Sequence, residues 1–209
     1  MSLRHSLSVF ALLVLSTAAR AGIVAGHDYQ VLATPQRTEA GAKIEVIEFF
    51  SWGCPHCYEF YPLLERWRAT LPKDVAVRRI PVGFGRPQWD TLVTMFYALE
   101  ITGDLARLDS AIFEAIHREH ESLVDEPSVT AWVARHGVNV ANFKAAFHAF
   151  GVQASVSQAR ATAEDYGVDA VPTLAIGGRY TVSDQFSRML ATTDQLIAMV
   201  RSGGKVAAE

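Results

Sequence analysis

Two cysteines stand three positions apart in Ser51-Trp52-Gly53-Cys54-Pro55-His56-Cys57, and the 209-residue chain has no others. A pair at this spacing can close and reopen a disulfide by thiolate attack. One thiol must be reactive, and the other near enough to resolve the mixed disulfide. As a structural staple the pair is a poor device, because the loop it closes is tiny and constrains the unfolded chain little. As a zinc site it is short of ligands. Structural zinc takes about four, there is no second cysteine pair, and the seven histidines do not gather. His117 and His120 flank Arg118 and Glu119 and read as a solvated helix face. Thiol–disulfide exchange needs neither a metal nor an organic cofactor, and none is expected.

The exchange works best when the attacking sulfur is exposed and sits where negative charge is favoured. Ile44 to Phe50 (IEVIEFF) is β-branched and aromatic, as in a buried strand. Behind it Tyr58, Tyr61, Leu64, Trp67 and Leu71 recur at helical spacing up to Pro72. A strand, a short turn and a helix therefore bring Cys54 to the helix N-terminus. Free backbone N–H groups and the helix dipole there favour a thiolate. Pro55 suits the first turn because it has no N–H to lose. Cys57 lies one turn on and more shielded, as a resolving thiol should. A protonated His56 would add charge stabilisation to Cys54. This predicts a Cys54 pKa well below that of a free cysteine and a disulfide that oxidises readily.

Asp74 to Pro81 (DVAVRRIP) reads as a second strand, parallel to the first. From Arg86 to about Tyr166 the patterns are helical. They place helices over Gln88–Ile101, from an Asp104 cap, from Pro127 to Gly137, over Asn139–Phe150 and over Val152–Tyr166, with Gly151 between the last two. Strand signals return in Val168–Ile176 and Arg179–Val182 across Gly177-Gly178, a tight hairpin. A helix over Asp194–Arg201 closes the pattern, and His27–Leu32 can add an edge strand. The expected architecture is α/β, in the order βαβ, helical insert, ββα. The helical lobe covers 86–159, and the α/β domain is made of 22–85 and 160–209.

The start of the chain carries Arg4 and His5, the apolar run Leu7–Leu15, and the small-x-small sequence Ala19-Arg20-Ala21. This reads as a secretory signal cleaved after Ala21, too short in its apolar part to span a bilayer. Its loss takes away two arginines and moves the formal charge from −3 to −5. A basic field for nucleic acid is thereby excluded. Export fixes an oxidising compartment, in which a disulfide persists.

The stretch Val46 to Cys57 (VIEFFSWGCPHC) closely resembles the active-site strand and turn of the DsbA family of bacterial periplasmic thiol:disulfide interchange proteins. The likeness continues in Val171-Pro172-Thr173 and in the helical insert, and covers nearly all of the chain after the signal. It implies a thioredoxin-like fold and a periplasmic oxidant. Such an enzyme donates its Cys54–Cys57 disulfide to newly exported proteins. The resemblance makes Cys54 the nucleophile, Cys57 its buried partner, and Pro55 and His56 the dipeptide that tunes them. Glu48 becomes the buried acid that moves the Cys57 proton. Pro172, preceded by a cis bond, becomes with Val171 the edge on which a client strand pairs. Re-oxidation by a quinone-linked membrane oxidase of the DsbB type and a monomeric state are further implications. The Trp52-Gly53 pair departs from more apolar members, and Gly53 is expected to loosen the turn. The rivals are an isomerase or reductase of the same fold and a peptide-binding chaperone. An isomerase needs a dimerisation domain, for which the chain has no spare length.

Overall fold

The computed structural model describes residues 22–203, so the signal-like segment lies outside the described residues. One mixed sheet carries five strands in the order β1-β5-β4-β2-β3. They are β1 (Gln30–Val31), β2 (Ile44–Phe50), β3 (Val75–Pro81), β4 (Thr173–Ile176) and β5 (Tyr180–Val182). The pair β2/β3 is parallel, with Glu48 level with Arg79, and the other pairs are antiparallel. Helix α1 (Pro55–Arg68) joins β2 to β3, and α7 (Phe186–Arg201) follows the β4–β5 hairpin. Between β3 and β4 run five helices: α2 (Pro87–Thr102), α3 (Leu105–His117), α4 (Glu126–Arg135), α5 (Val140–Phe147) and α6 (Phe150–Asp165).

The period of two along β2 sorts the core. Val46 joins Phe60 and Leu64 of α1 with Met189 and Leu196 of α7 on one face of the sheet. Ile47 and Phe49 point the other way, to Ala159 and Ala163 of α6. Glu48 therefore faces the α1 side. Phe50 ends the strand among Met95, Phe96, Ile112, Phe113 and Trp132 of the helical lobe, in a cluster that also holds Cys54 and Cys57. The redox pair thus sits at the seam between sheet and lobe. Among the described residues no helix is long and apolar enough to cross a membrane.

Several expectations shift. Strand β4 starts only at Thr173, because 168–172 is irregular chain and bend before the sheet is reached. Helix α6 begins at Phe150 and runs through Gly151, since the chain turns at His148-Ala149 and one glycine costs a helix only about 1 kcal/mol. Helix α7 starts eight residues earlier than Asp194, with Phe186 and Met189 packed on α1 and the sheet. Asp104 precedes α3 without capping it, as its carboxylate accepts from Arg107 instead. Glu45 is only 2 % exposed. The 36–39 segment covers it: the Glu39 N–H donates to its Oε1, and Arg78 lies 3.5 Å away.

Candidate active site

Cys54 occupies the N-cap of α1, with Pro55 in the first turn. The turn before it is closed by the Cys54 N–H donating to the Ser51 carbonyl at 3.1 Å and by the Gly53 N–H donating to Ser51 Oγ at 3.2 Å. The exposed sulfur that exchange chemistry suggests is not found. Cys54 is 6 % exposed and Cys57 is fully buried. Both are thiols here, and Cys54 donates to the Val171 carbonyl at 3.3 Å. The Val171–Pro172 peptide bond is cis. Beside the pair, His56, Ala170, Val171, Pro172, Asp184 and Phe186 line an open, mostly apolar groove.

The two thiols have opposite acidities. A hydrogen bond from the Cys57 thiol pulls the Cys54 pKa down to about 6 against the opposing effect of burial. The backbone N–H groups of Cys57 and His56 add to this, and the His56 imidazole charge adds least. His56 is exposed and leans toward Glu59 at 3.6 Å, so most of its field is spent in solvent. The helix N-terminus, more than the histidine, makes the thiolate. Cys57 moves the other way. Burial first, then its hydrogen bond to Cys54, push its pKa far up.

Glu48 is fully buried and accepts from Arg79 Nε at 2.5 Å. Burial raises its pKa, the Arg79 charge opposes this, and the net direction is up. Its charge in turn helps to raise the Cys57 pKa. Arg79 also donates through Nη1 to Asp109 of α3, and its guanidinium lies 3.8 Å from the centre of the Phe50 ring. The other Asp109 oxygen accepts from the Trp52 indole N–H at 2.8 Å.

Helix α3 holds the turn a second time. His117 Nε2 donates to the Trp52 carbonyl at 2.7 Å, and its ring stacks on Tyr58, 5.0 Å between centres. The solvated-face reading of His117 is thereby corrected. Trp52 is core, 1 % exposed, with Phe50 and Phe96 against its ring. Gly53 is a site of close packing. A Cβ there would come within 2.5 Å of the Trp89 indole nitrogen, so glycine is what lets Trp89 pack on the loop.

The seven expected site residues, Cys54, Pro55, His56, Cys57, Glu48, Val171 and Pro172, gather at one end of the sheet. Arg79 and Asp109 join them without having been expected, and His117 was expected on a solvated helix face. The signal for Arg79 was available: two arginines inside a seven-residue strand beside a strand with an internal acid. For Asp109 it was an acid between Leu108 and Ile112 on an apolar helix face.

Residues 45–193 match the family described as the DSBA-like thioredoxin domain. The chain belongs to that family. It is 35 % identical over 184 residues to the thiol:disulfide interchange protein DsbA of Burkholderia cepacia, covering 88 % of this chain and 86 % of that one. To the DsbA of Pseudomonas syringae pv. tomato it is 36 % identical over 197 residues, 92 % of each chain. Its fold superposes on the crystal structure of Pseudomonas aeruginosa DsbA with a TM-score of 0.83 at 34 % identity, covering 88 % of this chain and 97 % of that one. The oxidoreductase DsbA from Xylella fastidiosa gives 0.81 at 31 % identity, with 86 % and 98 % covered. The chain is a thiol:disulfide oxidoreductase with the disulfide-donating role of a DsbA.

Proposed function

We propose that the Cys54–Cys57 disulfide is the group donated, with Cys54 the sulfur attacked. A client thiolate attacks Cys54 Sγ, the Cys54–Cys57 bond breaks, and Cys57 leaves with the electron pair. Glu48 supplies the proton that Cys57 then carries. A second client thiolate attacks the client sulfur of the mixed disulfide, the client leaves oxidised, and Cys54 departs as a thiolate. The observation that carries this is access: Cys57 is fully buried, whereas Cys54 stands at the N-cap of α1 beside the groove. The low Cys54 pKa of about 6 then suits it to depart when the client leaves, and Cys57, pushed far up, holds its proton.

Val171 and Pro172 receive the client. Pro172 has no N–H to bond back into the fold, the Val171 carbonyl lies against the Cys54 sulfur, and the groove beside them offers apolar lining. Clients are reduced proteins in the periplasm, reached by export and cleavage after Ala21. The enzyme acts as a monomer, and a DsbB-type quinone-linked oxidase restores its disulfide. A reduced Cys57→Ser variant tests the assignment with a client that carries disulfides. The Cys54 thiolate attacks a client disulfide and one client thiolate leaves; with no Cys57 to resolve it, the mixed disulfide on Cys54 should accumulate, and Cys54→Ser should capture none. Capture by Cys54→Ser through Cys57 would overturn the assignment.

A further inference from the structure

Arg79 is shared between two carboxylates that come from different parts of the chain. Its Nε bonds Glu48 Oε2 on β2, and its Nη1 bonds Asp109 Oδ2 on α3 of the helical lobe. The guanidinium therefore grips Glu48 through one bond, not through the two-pronged pairing it makes with carboxylates elsewhere. Glu48 Oε1 is left buried with no hydrogen-bond partner among the described residues. Asp109 is anchored on its other oxygen by the Trp52 indole, which fixes where it can meet Arg79.

A carboxylate held by a whole guanidinium charge is a weak base. One that shares that charge with a second anion binds a proton more readily. Among the described residues the groups whose charge bears on Glu48 are Arg79 from β3, Asp109 from α3, and Cys57 and Glu65 from α1, while Tyr61 of α1 bears on Asp109 and Arg79. From β4 the register partner of Glu48 is the apolar Leu174. Glu65 is half-exposed and paired with Arg68 at 2.6 Å, which leaves Asp109 as the other buried anion on this guanidinium.

We propose that Asp109 is a positioning residue for proton transfer: by holding one end of Arg79 it keeps that charge from belonging wholly to Glu48, so that Glu48 can exchange a proton with Cys57. The direction of the Glu48 acidity agrees, since the Asp109 charge adds to the rise that burial begins. The proposal rests on Glu48 being the proton carrier named above. It places part of the redox machinery in the helical lobe, on a residue that touches neither sulfur.

The test uses oxidised glutathione and the reduced enzyme. The Cys54 thiolate attacks glutathione disulfide, one glutathione thiolate leaves, and a mixed disulfide forms. Cys57 gives its proton to Glu48 and attacks Cys54 Sγ, the Cys54–glutathione bond breaks, and the second glutathione leaves as a thiolate. That second phase is independent of glutathione concentration, and Cys54 does not titrate in it. Its rate should fall at low pH as Glu48 becomes protonated. In Asp109→Asn, which keeps an acceptor for Trp52 but no charge, this acid limb should move down by about one pH unit or more. Asp109→Ser should move it likewise, and provides the same reading if the first variant does not fold. Asp109→Glu should keep it near wild type. Glu48→Gln should abolish it. An acid limb that Glu48→Gln abolishes but neither neutral Asp109 variant moves would overturn the proposal. A limb that survives Glu48→Gln would instead overturn the proton-carrier role itself.

Discussion

At the scale of single residues the chemistry rests on how differently two thiols one turn apart are treated. The Cys54 sulfur meets the N–H groups of His56 and Cys57 and the Cys57 thiol, all of which favour a negative charge. With a pKa of about 6, roughly nine-tenths of it is ionised at pH 7 by the usual titration relation. Thiolate absorbance followed against pH should give a midpoint near 6, and an unshifted midpoint would contradict the geometry. His56→Ala should move that midpoint upward by less than about one unit, because the imidazole contributes less than the helix backbone does. The cysteine pair and the proline between them were legible from residue type and spacing, and Glu48 from the family resemblance. His56 lowers the Cys54 pKa less than the helix backbone does, since its ring leans out toward Glu59, and a sequence does not say which way a side chain leans. Arg79 and Asp109 were missed for a related reason: an ion pair between β3 and α3 becomes visible only when the two elements meet.

At the scale of elements, a strand, a turn and a helix N-terminus deliver the sulfur, and α3 clamps the turn through Asp109 and His117. On the other side, the β4–β5 hairpin holds the segment that contacts Cys54. Both its glycines have positive φ, and a Cβ on Gly178 would meet the Gln36 carbonyl oxygen at 2.2 Å. Gly178→Ala therefore combines left-handed backbone strain with a clash against main chain. It should cost about 1–3 kcal/mol, read as a lower urea midpoint with an unchanged slope. At Gly177 the neighbours are Val200 methyl groups, which can give way more easily. The hairpin was legible because Gly-Gly between two apolar runs has few other uses. Helix ends were less so. Gly151 looked like a break, yet the real break at His148-Ala149 contains no glycine or proline. Pro62 lies inside α1, where a rule of thumb would have stopped the helix. Burial of Phe60 and Leu64 on either side of it outweighs the lost hydrogen bond.

At the scale of the whole molecule, the redox pair lies where the sheet's α1 face meets the helical lobe, and both halves hold it. The order βαβ, helices, ββα was readable from periodicity alone. The way α6 crosses back onto the sheet was not, because its small residues Ala159 and Ala163 give little hydrophobic signal. The depressed Cys54 pKa has a consequence for the fold as a unit. In the unfolded chain this thiol titrates near 8.5, and in the folded reduced protein near 6. Between these values the unfolded state binds more protons, so the reduced form gains stability as pH rises through the window. That gain is complete above about 8.5 and is lost as pH falls through 6. The oxidised form has no such thiol and gains nothing. At pH 7 part of this advantage favours the reduced enzyme, which is what makes its disulfide an oxidant. The most direct test is the reduction potential of the Cys54–Cys57 pair, measured at pH 7 against glutathione. The predicted value is more positive than about −200 mV, in the range of proteins that give disulfides away. A value more negative than about −230 mV, in the range of cytosolic reductants, would contradict the account.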